Sequence, residues 1–156
     1  MQQISDIGVL GIGAMGQNLA LNFASKGLKV SVYNRTEANE GKVIADFISK
    51  NKNQGNFLGF TDLETFVGSL AKPRKIFMMI KAGKALEEVI KGLFPFLNEG
   101  DVLIDSGNSH YIDTEKRVQK LEKHGIGFVG CGMSGGTYGA LNGPCLMPGG
   151  EDASWS

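Results

Sequence analysis

Near the amino terminus the sequence offers its first recognisable chemistry, Ile7-Gly8-Val9-Leu10-Gly11-Ile12-Gly13-Ala14-Met15-Gly16. Its glycines at 11, 13 and 16 follow the G-x-G-x-x-G spacing. Each has a separate use. Gly11 permits a tight turn, Gly13 lets a pyrophosphate approach the backbone because it has no Cβ, and Gly16 lets a helix pack closely on a strand. An apolar run precedes the pattern and an amphipathic segment follows it, the context in which it signals dinucleotide binding. The helix that starts there offers unpaired N–H groups and a partial positive charge to phosphates. A structural glycine turn can share this spacing, and in a chain with 23 glycines the pattern alone decides little.

The second informative site is Asn34-Arg35-Thr36. NAD-binding folds place Asp or Glu about 20 residues beyond the first glycine, to accept from the ribose hydroxyls. Here that place holds Asn34, followed by Arg35. A carboxylate repels a ribose 2′-phosphate, whereas an arginine can hold one in a bidentate, charge-assisted pair. The tripeptide therefore favours NADP over NAD, by about tenfold to a hundredfold if the arginine bonds are made. The competing reading makes Arg35 a solvated loop charge and Thr36 the cap of the next helix.

Three further loops carry polar groups. Lys81-Ala82-Gly83 follows an apolar strand, and ligands bind at the carboxyl ends of strands in parallel sheets. Position alone leaves Lys81 equally a ligand contact and a surface lysine. Ser106-Gly107-Asn108-Ser109-His110 follows another strand; Asn108 can both donate and accept. His110 reads as a solvated loop residue rather than an acid or base. Gly132-Met133-Ser134-Gly135-Gly136 reads as a glycine-rich turn, able to bind an anion through backbone N–H groups or merely to pack.

The elements that must position these loops alternate. Strands are expected at 7–10, 28–33, 57–60, 75–80, 101–105 and 126–130, with a short last strand possible at 145–147. Helical spacing follows Gly16 up to Gly27, then covers 37–50, 84–93 and 111–124. In the last of these Tyr111, Thr114, Val118 and Leu121 align. Thr61-Asp62-Leu63-Glu64 has the form of a capping box opening a helix to about Leu70. Six strands alternating with helices imply an α/β fold with a doubly wound parallel sheet, Rossmann-like, in the order 3-2-1-4-5-6.

The chain has 156 residues, enough for one domain with a sizeable core. Lys+Arg and Asp+Glu balance at 16 each, so net charge gives no case for a nucleic-acid or membrane partner. No apolar run approaches the length that spans a bilayer, and the first residues do not resemble a signal peptide. Cys131 and Cys145 read as reduced, mostly buried thiols of a cytosolic protein. No cluster has metal-ligand spacing. Trp155, at the end of the chain, reads as an interface anchor.

Taken together, the motifs resemble the amino-terminal, coenzyme-binding domain of the decarboxylating 6-phosphogluconate dehydrogenases. The likeness runs from about Ile4 to Gly150. It rests on Gly11 to Leu19, Asn34-Arg35-Thr36, Met79 to Gly83, Gly107-Asn108-Ser109 with Tyr111, Met133 to Gly136, and Leu146-Met147-Pro148-Gly149-Gly150. The related hydroxyisobutyrate-type dehydrogenases share the first motif and the Ser-Gly-Gly but do not, as a rule, share Asn-Arg-Thr with Leu-Met-Pro-Gly-Gly. The resemblance implies that Gly11, Ile12, Gly13, Ala14, Met15 and Gly16 bind NADP, together with Asn34, Arg35, Thr36, Ile80, Lys81 and Ala82. It implies that Asn108 contacts both coenzyme and substrate, and that Ser134, Gly135 and Gly136 contact 6-phosphogluconate. The implied reaction is oxidative decarboxylation to ribulose 5-phosphate with NADPH formation. Ser106, Thr137, Tyr138 and Leu141 depart from the family pattern, which touches the sugar contacts. Gly13 is alanine in many members.

That reaction needs a base for the hydroxyl proton and an acid for the enediol left by carbon dioxide. The family draws a lysine and a glutamate for these roles from a following, all-helical domain. The resemblance therefore implies that 1–156 is a coenzyme-binding fragment without catalytic residues of its own, inactive alone. It also implies a homodimer for the full-length protein.

Overall fold

The computed structural model describes residues 4–37, 39–150 and 154; Trp155 lies outside them. The chain runs β1 (Ile7–Leu10), α1 (Ala14–Ser25), β2 (Lys29–Tyr33), α2 (Val43–Lys50), β3 (Asn56–Phe60), α3 (Leu63–Gly68), β4 (Lys75–Met78) and α4 (Lys84–Leu93). A 3-10 turn at Phe94–Phe96 follows, where Pro95 stops the α-helix. Then come β5 (Val102–Asp105), α5 (Tyr111–Glu122), β6 (Gly127–Ser134), α6 (Gly136–Asn142) and β7 (Cys145–Gly149). The sheet order is β3-β2-β1-β4-β5-β6-β7. Pairings from β3 to β6 are parallel, and β7 joins β6 antiparallel.

All four residues of β1 are buried, as a strand covered on both faces requires. Its side chains alternate between two cores. Ile7 and Val9 pack with Ala20, Ala24, Val30, Val32, Ile44 and Phe47, beneath α1 and α2. Leu10 packs with Phe66, Ile76, Met78, Leu86, Leu103 and Leu121, beneath α3, α4 and α5. Gly8 faces this second side, where a Cβ would meet the Phe66 ring at 2.8 Å.

The doubly wound fold is as the sequence implies, with corrections. The expected helix over 37–50 forms only from Val43, because 39–42 fold as turns. Lys42, not Thr36, is its N-cap residue, so Thr36 is no cap. At α3 the capping side chain is Asp62 rather than Thr61: its carboxylate accepts from the Thr65 N–H at 2.9 Å. In α5 Tyr111 is 66% exposed, and the buried positions are Arg117 and Leu121. Arg117 enters because its Nε donates to Glu87 Oε1 of α4 at 2.6 Å, a pairing that no helical periodicity announces.

The largest correction is at the end. Gly132, Met133 and Ser134 are not a turn but the last residues of an eight-residue β6. They pair with Met147, Leu146 and Cys145 of a β7 that reaches Gly149. The turn shrinks to Gly135, and Gly136 already opens α6, which leans on α1. Cys145 is exposed and only Cys131 is buried; burial pushes the Cys131 thiol up from its ordinary value.

Candidate functional site

The sequence folds into a glycine turn at the carboxyl end of β1 because side chains there would collide. Gly11 has φ +97°, and a Cβ on it would lie 2.5 Å from the Met79 carbonyl oxygen. That approach is fixed by the Met79 N–H, which donates to the Leu10 carbonyl at 2.8 Å. A Cβ on Gly16 would overlap the Gly11 carbonyl oxygen. Gly13 is different. It is exposed, its φ is −75°, and a Cβ there would meet nothing within 4 Å. Gly13 is the N-cap of α1, which has no side-chain cap and no acidic residue in its first turn. Ile12 is buried, Met15 half-buried and Ala14 exposed. The result is an unobstructed helix N-terminus, the arrangement that suits an anion.

Asn34 joins the end of β2 to this turn. It is buried, and its Oδ1 accepts from the Ile12 N–H at 2.9 Å. Its Nδ2 donates to the Arg35 carbonyl at 3.1 Å and to Glu40 Oε2 at 2.9 Å. Arg35 is exposed, and its guanidinium forks onto the same carboxylate: Nε to Oε2 at 3.2 Å and Nη2 to Oε1 at 3.3 Å. Glu37 Oε2 lies 4.0 Å from Arg35 Nη1. The bond to Glu40 holds the Arg35 pKa above its ordinary value. The bonds from Arg35 and then Asn34 hold the Glu40 carboxyl below its own. Thr36 is exposed beside them.

Two more loops meet at the same edge. Ile80 and Ala82 are half-buried and Lys81 is exposed, between β4 and Gly83, whose φ is +97°. A Cβ on Gly107 would overlap the Ile80 carbonyl oxygen, so the 106–110 loop must cross there with glycine. Asp105, buried at the end of β5, organises that loop. Its Oδ1 accepts from the Gly107 N–H at 2.9 Å, and its Oδ2 accepts from the Ser109 hydroxyl. Arg117 Nη1 lies 3.9 Å from the same carboxylate. Held this way, Asn108 adopts φ 58° and is exposed; asparagine tolerates that region better than most residues. Ser106 is buried. His110 is exposed, its ring 4.8 Å from that of Tyr111.

Ser134 ends β6 and is exposed, followed by Gly135 at φ 120° and Gly136 at φ 60°. Thr137, Tyr138 and Leu141 are exposed on α6, and the Asn22 side chain of α1 donates to the Ala140 carbonyl at 3.0 Å. A cavity of about 790 Å³ lies between α5 and β7, bordered by Asn108, Ser109, Thr114, Val118 and Met147. Of the expected site residues only Asn108 lines it. All the expected positions therefore sit at the carboxyl ends of parallel strands. Asp105 and Glu40, which hold three of them (Asn108, and Asn34 with Arg35), were not foreseen. Asp105 could have been flagged as the last strand residue before a polar loop. Glu40 had no signal inside an expected helix.

A glycine turn at the point where the strand order reverses, feeding an open helix N-terminus, defines a dinucleotide-binding domain. A family profile described as the NAD binding domain of 6-phosphogluconate dehydrogenase matches residues 6–156, and the chain belongs to that family. It is 50% identical over 151 residues to the decarboxylating 6-phosphogluconate dehydrogenase of Chlamydia trachomatis, covering 97% of this chain and 31% of that one. It is likewise 50% identical over 147 residues to the NAD(+)-dependent, decarboxylating enzyme of Bacillus subtilis, covering 94% of this chain and 30% of that one. The solved Plasmodium falciparum 6-phosphogluconate dehydrogenase superposes with a TM-score of 0.88 at 37% identity, over 96% of this chain and 32% of that one. That protein was described in its apo form, with its cofactor NADP+ and with its substrate 6-phosphogluconate. The chain spans about a third of the length of the curated relatives it matches. Among the described residues no helix is long and apolar enough to cross a membrane.

Proposed function

We propose that this chain is the coenzyme-binding part of an NADP-dependent, decarboxylating 6-phosphogluconate dehydrogenase. The full-length protein, a cytoplasmic homodimer in this reading, would convert 6-phosphogluconate to ribulose 5-phosphate. The observation that carries the proposal is Arg35, exposed next to Asn34, which stands where NAD sites place a carboxylate and is tied to the glycine turn through the Ile12 N–H.

The residues fit the coenzyme. Open space in front of Gly13 leaves room for a pyrophosphate, and the first turn of α1 holds no carboxylate to repel it. Gly11 to Gly16 would bind that group through backbone N–H donors. Arg35 and Thr36 would take the 2′-phosphate. Asn34 would keep the turn in place, its side chain being committed to Ile12 and Glu40. Ile80, Lys81 and Ala82 would border the coenzyme, Asn108 would touch coenzyme and substrate, and Ser134, Gly135 and Gly136 would bind the sugar acid. The coenzyme supplies the hydride acceptor. In this reading the base and acid that move protons are supplied by other parts of the full-length enzyme.

A second reading, NAD as the natural coenzyme, draws on Glu40, which partly neutralises Arg35. Calorimetric titration with NADP+ and NAD+ separates the two. Wild type is expected to favour NADP+ by about tenfold, the scale of a charge-assisted hydrogen bond, and Arg35→Ala to lose that preference. Equal affinities in wild type would sink the NADP reading while leaving the fold intact.

A further inference from the structure

We infer that Glu40 is a specificity-determining residue of the coenzyme site, an internal anion that occupies Arg35 and must be displaced by a ribose 2′-phosphate. This rests on the reading of Arg35 given above. Glu40 Oε2 accepts from Arg35 Nε at 3.2 Å and from Asn34 Nδ2 at 2.9 Å, while Oε1 accepts from Arg35 Nη2 at 3.3 Å. That is a fork-to-fork pairing, and it uses the guanidinium edge with which arginine grips a phosphate. One edge cannot serve two anions in that geometry. Glu37, 4.0 Å from Nη1, flanks the remaining terminal nitrogen.

The two coenzymes meet this pairing differently. A 2′-phosphate brings up to two negative charges, is repelled by Glu40, and gains Arg35 only after breaking the existing bonds. A 2′-hydroxyl carries no charge and needs no displacement. A carboxylate beside the end of the second strand is also the acceptor that NAD sites offer it. Glu40 thus lowers the affinity for NADP and leaves NAD usable, so it narrows the discrimination that Arg35 provides. Its backbone is anchored independently of its side chain, since the Glu40 carbonyl accepts from the Val43 N–H at 3.1 Å. The carboxylate can therefore swing away without unfolding the turn before α2.

The test titrates wild type, Glu40→Gln, Arg35→Ala and the double variant with NADP+ and with NAD+. Gln keeps an acceptor for Asn34 and removes the charge; Glu40→Ala serves as a second probe should Gln bind Arg35 in the same way. Glu40→Gln is expected to bind NADP+ about threefold to fivefold more tightly, the reach of an exposed charge pair. NAD+ affinity should stay level or fall. On the Arg35→Ala background the gain should shrink to what relief of the direct carboxylate–phosphate repulsion supplies. If NADP+ affinity stays level or falls in both Glu40 variants while Arg35→Ala still abolishes the preference, the role of Glu40 is overturned and that of Arg35 stands. If neither position affects NADP+, or wild type and variants alike fail to bind it, both fall together.

Discussion

Single atoms decide what each glycine of the turn is for. Gly16 has no room for a methyl group, because the Gly11 carbonyl oxygen already stands where it would go. Gly13 has open space in front of it. Gly16→Ala is therefore expected to lower stability by about 2 kcal/mol, the usual cost of overpacking, which is about 4–8 °C in melting temperature for a domain of this size. Gly13→Ala should stay within about 0.5 kcal/mol of wild type. Thermal unfolding of both variants checks this, and equal destabilisation would refute the separate roles. These glycines were legible from their spacing between an apolar run and an amphipathic segment, because a tight turn restricts residue type locally. Asn34 was legible only as a position. Its bond to the Ile12 N–H joins the ends of two neighbouring strands, and Glu40 reaches Arg35 through a turn before α2 that the apolar spacing of 37–50 concealed.

Elements were more readable than their ends. β1, α1, β2, β4, α4 and β5 fall where apolar runs, helical periodicity and cap residues place them, since each is set by local pattern and burial on the sheet. β6 and β7 were placed but not their full length, because Gly132-Met133-Ser134 reads as a turn unless a distant partner strand pairs with it. The α3 cap also moved by one residue, to Asp62. The Thr65 N–H, and then its hydroxyl, hold the Asp62 carboxyl below the usual aspartate value. A lowered folded-state pKa contributes stability that is present above the unfolded value and lost as pH falls through the folded one. Asp62→Ala should thus melt below wild type at neutral pH, with the gap closing once pH drops beneath the ordinary aspartate range. A gap that stays constant across that titration would count against the cap.

At the scale of the molecule, the two edges of the sheet do different work. The carboxyl ends of the parallel strands carry the loops proposed to hold the coenzyme, while a buried ion pair sits at the opposite edge, just before β4 and β5. There Arg74 Nη1 lies 2.9 Å from Asp101 Oδ2, and Asp101 also accepts from the Arg74 N–H at 2.7 Å and the Asn98 N–H at 2.8 Å. Asp101→Ala strands a buried guanidinium and is expected to cost about 3 kcal/mol. Coenzyme affinity, measured below the melting temperature, should be unchanged; a parallel loss of affinity would show that the edges are coupled.

The central place of β1 also fixes when the site can exist during synthesis. Its two neighbours arrive at very different times: Val9 pairs with Val32 on one side and with Phe77 on the other. A nascent chain emerging as far as α3 can zip β1, β2 and β3 together, yet β1 still has a bare flank and Gly11 has no Met79 backbone to rest against. The first loop made is among the last to be locked, and the unpaired flank is a sticky template for other strands in the interval. In the proposed reading coenzyme capture reports completed assembly rather than the appearance of its own motif, and a ribosome that stalls before β4 releases a chain whose glycine turn has no β4 behind it.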